Sequence, residues 1–493
     1  MAATLLGLSA MLPAAGHAGE RRLSPATFHV VLRPETDAGK KVVAIRIDER
    51  IATGGEAGRL SLTVPLRFIG MIPFATKISD VVAHDAKGPL ALTAQDTTLP
   101  DGTEVRRWRS ERPVNGATSL RYKLTLETAD TRGPPYGAMA GSLGVSGNTS
   151  AVIVIPDGVR GGRNTLAWDL SGMVAGSRGV MTGGERAITT RGSPETLLDR
   201  WLMAGRLQNG QERASNGFNA YMLGTPPFSV PATMISARSV YQALAQGFGY
   251  LGAPRYELLI RTLDQPSFVT GTAANAGGGA LITSGSPIYV RGQADVDALN
   301  IIAHEMGHQW VGQFESGGSL WFAEGLNVYV TSTLPCEVGL QPWKDCGQQI
   351  SNWAKAYYGS EGRDWSQDRI EGAPFAREDL RQVSYGRGMM YFANLDAAIR
   401  ARSGGKQTLV RRLRPLFDSR RAGQPITIQR WEAWLRAEQG EDEVRRFRDT
   451  VLGGALIEPS AGAFGPNLEV APSRYADGGT SRAGYAWHPR TPQ

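Results

Sequence analysis

DVDALNIIAHEMGHQWVGQFESGGSLWFAEGLNVYV, residues 295–330, is the stretch on which the reading of the whole chain turns. Inside it, His304, Glu305, Met306, Gly307 and His308 form an HExxH run. In a helix, residues i and i+4 lie one above the other on the same face. Two imidazoles stacked in that way can hold one metal ion, and the glutamate beside the first can reach a water there. The helix is predicted from Val296, Leu299, Ile302 and Met306, spaced by three and four and widened by Ile301. Asp295 and Asp297 bring negative charge to its start. The apolar pattern runs to about Phe314, Ser316, Gly317, Gly318 and Ser319 break it, and a second apolar stretch follows from Leu320 to Val330. Helix, turn, helix is the expectation.

Two histidines need a third donor. The chain has six histidines, and the others, His17, His29, His84 and His488, stand far from the motif. Neither cysteine lies near it at a ligand-like spacing, so a carboxylate is expected. At about 1.5 Å per residue the first helix runs roughly 9 Å past His308, and Glu324 lies roughly 8 Å into the returning helix. Glu324 therefore comes back level with the histidines; Glu315, at the far end of the first helix, is the rival. HExxH also arises by accident, as polar residues on an exposed helix face. Here the flanks are apolar and the return loop is short, which favours a zinc site.

HEMGHQW followed by LWFAEGLNVYV resembles the gluzincins, zinc peptidases with two histidines and a glutamate as ligands. It is most similar to the glycyl aminopeptidase family and more distantly to the aminopeptidase N and leukotriene A hydrolase family. The latter carries a longer spacer than the fifteen residues between His308 and Glu324 here. The resemblance implies Zn²⁺ held by His304, His308 and Glu324, with Glu305 as general base. Downstream, VSYGRGMMYFANLDAAIRARSGG reads as a helix stopped by Gly404 and Gly405. It is similar to the tyrosine-bearing helix of the same families, which implies that Tyr385 donates to the oxyanion; Tyr391 is the alternative.

The 493-residue chain is long enough for two to four domains. With 41% hydrophobic and 20% charged residues it reads as a folded soluble protein. A net charge of +7, spread mostly as arginine without a dense basic run, speaks against nucleic-acid binding. Residues 1–18, MAATLLGLSAMLPAAGHA, look like a signal peptide, with Gly16, His17 and Ala18 around a cleavage point, although no Lys or Arg precedes the apolar run. The mature chain is then exported, periplasmic or secreted. No other segment is long and apolar enough to span a bilayer.

Residues 24–160 read as strands: FHVVL, KVVAIRIDERI, LSLTVPL, TEVRRWRS, TSLRYKLTLE and SAVIVI, separated by turn residues. An antiparallel β-sandwich is expected there. In the mixed region that follows, SPETLLDRWLMAG and residues 232–248 look helical and YELLIRTL looks like a strand. GTAANAGGGALITSGSPIYV then carries Gly277, Gly278 and Gly279 before Ala280. Glycine in a strand marks close backbone approach, and in the resembled families the matching edge strand pairs with substrate. Gly277, Gly278, Gly279 and Ala280 are thus candidate substrate-binding residues, with a surface loop as the alternative. Both families set a glutamate just after these glycines, where the aminopeptidase N family uses it to hold the free amine; this chain has Ala280, Leu281 and Ile282.

Cys336 and Cys346 bracket EVGLQPWKD and suggest a small disulfide loop in an exported chain, or free thiols otherwise. Residues 406–453 read as helices, and 454–493 as an irregular tail. The fold expectation is multidomain: the N-terminal antiparallel β-sandwich, a thermolysin-like α+β catalytic domain over 161–405 implied by the resemblance, and the C-terminal α-helical region. No PDZ domain, usual in the glycyl aminopeptidase family, is expected in this sequence. The expected activity is that of a zinc metallopeptidase of aminopeptidase type acting on a peptide substrate. A zinc endopeptidase, another hydrolase on the same site, or a non-catalytic binding protein with this fold are the alternatives. No signal for an oligomeric state is present.

Overall fold

The computed structural model describes residues 27–52, 58–68, 72–100, 102–128, 137–141, 144–159, 162–209, 217–226, 228–250, 255–262, 270–274, 279–284, 294–314, 317–373, 377–477 and 479–490. Residues 1–18, Gly277 and Gly278 lie outside these, as does Glu315. The chain divides into two compact units, Met1–Met234 with Pro254–Ala294, and Ile235–Ala253 with Asp295–Gln493. No described helix is long and apolar enough to cross a membrane.

The first unit is built on sheets. Alternation decides its faces: Phe28, Val30 and Leu32 of the strand Thr27–Thr36 are buried, as are Ile45, Ile47 and Ile51 of Val42–Ala52. These two strands pair antiparallel with Phe28 opposite Ile51 and Leu32 opposite Ile47. They lie inside a seven-stranded sheet. Across the core stands a five-stranded sheet, whose Val145, Leu202 and Ala204 join the same buried cluster. The sandwich is mixed rather than purely antiparallel, because Thr27–Thr36 runs parallel to Arg163–Trp168, Val30 opposite Leu166. Its strands also continue past residue 160, as far as Trp201–Gly205.

That last strand corrects the helical reading of SPETLLDRWLMAG. Pro194–Leu197 form one 3₁₀ turn, and Trp201–Gly205 is wholly buried between Gly144–Asn148 and Arg178–Met181. A short apolar run covered on both faces has no periodicity to separate strand from helix.

A third sheet orders its strands Gln208–Asn209, Phe218–Leu223, Tyr256–Thr262, Gly279–Ser284 and Thr270–Ala274. Buried Arg261 ties it to the sandwich, donating to the Met139 carbonyl and to Ser146 Oγ, each at 2.7 Å. Here the sequence expectation of a free edge at Gly279 and Ala280 fails. Gly279 pairs with Glu257 on one side and Ala274 on the other, and Ala280 with Leu258 and Ala273. A strand bonded on both sides has no backbone row left for a peptide. The terminal strand on that side is Thr270–Ala274.

Nine α-helices are described: α1 (Val230–Gly247), α2 (Ala294–Gly307), α3 (Leu320–Glu337), α4 (Trp343–Tyr358), α5 (Gln367–Glu371), α6 (Glu378–Arg402), α7 (Leu409–Arg421), α8 (Ile428–Gln439) and α9 (Glu441–Phe447). All except the start of α1 and Ala294 of α2 belong to the second unit. Trp321 and Phe322 of α3 pack with Phe392 of α6, Trp431 of α8 and Phe447 of α9, all fully buried. Each phenylalanine so buried contributes roughly 2–3 kcal/mol. Cys336 and Cys346 form the expected disulfide, joining the end of α3 to the start of α4.

The C-terminal residues are not an irregular tail. Leu468–Asp477 and Thr480–Pro489 form a ten-residue-register hairpin. It is docked on α4, where the Trp487 N–H donates to Ser351 Oγ at 2.9 Å and Arg482 to the Gly359 carbonyl at 3.0 Å.

Candidate metal centre

The sequence around the HExxH run decides where its side chains point. Ala298, Leu299, Ile302, Ala303 and Met306 are buried and anchor α2. The helix is shorter than its apolar pattern implies. After Gly307 the bonding tightens to three-residue steps, Gln309 N–H to the Met306 carbonyl and Trp310 N–H to that of Gly307. The later apolar residues bury elsewhere: Trp310 against Tyr241, Phe248 and Tyr250, and Phe314 against Trp321 and Phe322. Periodicity cannot tell a continuing stripe from such side contacts. The return is fixed at both ends, with Phe314 N–H on Ser319 Oγ at 2.8 Å and Leu320 N–H on Glu371 Oε1 at 3.0 Å. Glu371 thereby caps α3, the helix that carries Glu324.

His304, His308 and Glu324 converge. His304 Nε2 and His308 Nε2 are 3.2 Å apart, and each lies 3.3 Å from Glu324 Oε2. A tetrahedral ion with bonds of about 2.0–2.1 Å sets its ligand atoms about 3.3 Å apart. The spacing is that of three corners of such a tetrahedron. Glu324 is fully buried, and its Oε2 faces the two histidine nitrogens, each 3.3 Å away. A buried carboxylate in that state calls for a cation. The donor set, two imidazole nitrogens and one carboxylate, suits zinc.

The electrostatics agree. Burial alone would lift Glu324, yet the charge and hydrogen bonding of His308 and His304 hold it well below the usual carboxylate range. Burial would lower His308, but Glu324, Glu305 and the Val311 carbonyl hold it up at about 9. His304 is pushed down, chiefly by burial. Positive charge is wanted between these groups.

Glu305 is buried beside this cluster, and burial raises its carboxyl to about 8. No donor among the described residues reaches its Oε1. Tyr385 lies flat alongside His304, ring centroids 6.3 Å apart, and is sandwiched by Trp353 at 5.2 Å. Burial and then the nearby Glu324 carboxylate raise its phenol well above the ordinary range, so it keeps its proton. Tyr391, the alternative, packs on Phe447 with its hydroxyl toward Glu443. The Tyr-Gly-Arg-Gly run also explains itself. A side chain at Gly388 would collide with the Trp321 carbonyl, and one at Gly386 would fall 2.6 Å from that of Trp353. These two glycines let α6 press against α3 and α4 and so bring Tyr385 to the histidines.

Of the residues expected from sequence, His304, Glu305, His308, Glu324 and Tyr385 stand together; Gly279 and Ala280 belong to the other unit. Sequence reading missed Trp353, Glu371 and Asn327. Asn327 is a lone amide in the apolar α3, and its Nδ2 donates to the His304 carbonyl at 2.7 Å. That isolated polar residue, three positions after Glu324, was its one available signal.

Comparison with solved structures gives the class of fold. The chain is similar to an aminopeptidase N family protein from Idiomarina loihiensis, with a TM-score of 0.72 at 14% identity over 90% of this chain and 79% of that one. It is also similar to an M1 zinc metallopeptidase mutant from Deinococcus radiodurans bound to a Tyr-Ser-Ala substrate, with a TM-score of 0.50 at 15% identity over 89% and 96%. A native yeast LTA4 hydrolase matches with a TM-score of 0.53 at 13% identity over 89% and 69%. The fold is therefore the multidomain one of these proteins, sheet-rich at the N-terminal end and helical at the C-terminal end. No family model matches the chain, and no curated protein matches it in sequence.

Proposed function

We propose that the chain is a zinc-dependent metallopeptidase, acting as an aminopeptidase on peptide substrates. The observation that carries this reading is the triangle of His304, His308 and Glu324 ligand atoms at tetrahedral spacing, with the carboxylate fully buried. When bound, zinc supplies Lewis acidity that makes a water ionise near neutrality and polarises a carbonyl. Glu305, in its ionised form, then takes the proton of the attacking water and returns it to the leaving amine. Tyr385, held protonated and clamped by Trp353, donates to the oxyanion as it forms. The fold likeness to aminopeptidase N family and M1 zinc metallopeptidase structures supports the same class. The leader-like residues 1–18 and the Cys336–Cys346 bond support an exported location.

One observation favours a second reading. Ala280, Leu281 and Ile282 supply no acid in the stretch that resembles the one where the aminopeptidase N family holds the substrate amine, which suits a zinc endopeptidase. Metal analysis and cleavage of a mixed peptide library, with matched free and acetylated N termini, test both. The expected outcome is one zinc per chain and chelator-sensitive loss of residues from free N termini. Internal cleavage of acetylated peptides would select the endopeptidase, and no cleavage at all by zinc-loaded protein would overturn both.

A further inference from the structure

We infer that Asn327 and Gly307 are a matched pair that sets the spacing of the three metal ligands; the inference rests on the zinc reading above. Asn327 is fully buried, and it stands on α3 three residues past Glu324. Its Nδ2 donates at 2.7 Å to the backbone carbonyl of His304 on α2. The same amide fills the space in front of Gly307, where an added Cβ would overlap Asn327 Oδ1 and crowd Thr331 Cγ2 at 3.2 Å. Gly307 is the residue immediately before His308, and α2 ends on it. One side chain therefore touches the backbone of the first histidine and the neighbour of the second, from the helix that carries the glutamate.

The bond and the overlap act in different ways. The hydrogen bond holds α2 to α3 in register at His304, so the His304–Glu324 separation cannot drift along the helices. The missing Cβ at Gly307 lets α2 approach α3 closely enough for His308 Nε2 to reach Glu324 Oε2 at the same 3.3 Å as His304. Thr331 Oγ1 donates to the Asn327 carbonyl at 2.7 Å, on the next turn of α3. Neither residue offers a ligand atom to the metal. Both are positioning residues, of the kind whose loss costs about 10–100-fold in metal affinity.

The test is zinc affinity, measured by chelator competition on the full chain stripped of metal, with the visible spectrum of the cobalt-substituted protein as a second readout. Asn327→Leu keeps the bulk and removes the donor; Gly307→Ala adds the overlapping methyl. Each should weaken zinc about 10–100-fold and shift the cobalt spectrum. Asn327→Ala added to Gly307→Ala should relieve the overlap, so the double variant binds zinc more tightly than Gly307→Ala alone. If Leu at 327 does not fold, Asn327→Ala alone is measured for the same loss. Parent-like affinity and spectrum in the position-327 and Gly307→Ala variants would overturn the pairing while Glu324→Gln still abolished binding. A parent chain that binds no zinc would instead remove the zinc reading, and the pairing with it.

Discussion

Glu49, on the strand Val42–Ala52 of the first unit, and Glu305, on α2 of the second, are both buried and both pushed up to about 8 by burial. Their surroundings differ. Glu49 Oε1 accepts from the Tyr122 hydroxyl at 2.8 Å and the Val154 N–H at 3.3 Å, inside the apolar core of the sandwich. Glu305 Oε1 has no donor among the described residues, and Glu305 lies beside the cluster of His304, His308 and Glu324. A raised carboxyl is what burial produces anywhere. On the proposed mechanism, what separates a working glutamate from a structural one is the company of groups that bind something else.

The sharpest break between the two comes from the metal ligand next door. Glu324→Gln should lose zinc and with it all measurable turnover, read by metal analysis after dialysis and by peptide cleavage. Glu305→Gln should retain zinc and lose about 10²–10⁴ in kcat, because only the proton transfer is removed. A fully active Glu305→Gln enzyme would take Glu305 out of the mechanism and make the two buried glutamates alike.

Tyr385→Phe should cost less, about 10²-fold or more in kcat with KM little changed, since the phenol stabilises charge that exists only in the transition state. An unchanged kcat would reassign Tyr385 to the core, the role that Tyr391 fills about 1.7 turns further along α6.

The parts legible in the sequence were those set by local spacing. HExxH, the returning WFAEG and the glycine-flanked Tyr385 each fall within one or two helix turns, so a single strip of sequence carries the geometry. What escaped depends on contacts between distant elements. Asn327 on Gly307, Gly388 on the Trp321 carbonyl and Trp353 on Tyr385 are invisible until the helices are packed. The terminal hairpin escaped because it buries little. Leu468 and Trp487 are covered, while Pro472, Ser473 and Gly479 blur the alternation that marks a strand. The free edge expected at Gly279 failed for the opposite reason: glycine permits close approach of a backbone without saying whose. Here the approaching backbones are Glu257 and Ala274 of the same sheet.

Glu49→Gln should leave turnover untouched and change only stability, and its sign follows from the direction of the shift. The carboxyl sits at about 8 in the folded chain against 4.5 when free, so between those values the folded state holds a proton that the unfolded state releases. Stability is then full below about pH 4.5 and declines as pH rises toward about 8, by at most ~1.4 kcal/mol per pH unit. Glutamine can keep both bonds at Oε1, and its added amide stands where Glu49 Oε2 already lacks a partner. The variant should therefore lack this decline and exceed the parent in stability at pH 8. Urea midpoints for both proteins at pH 5 and pH 8 give the answer, since every other titrating group cancels in the difference. Parallel profiles would mean that Glu49 stays ionised in the core. A loss of turnover in Glu49→Gln would break the comparison from the other side, by giving the sandwich glutamate a part in the chemistry.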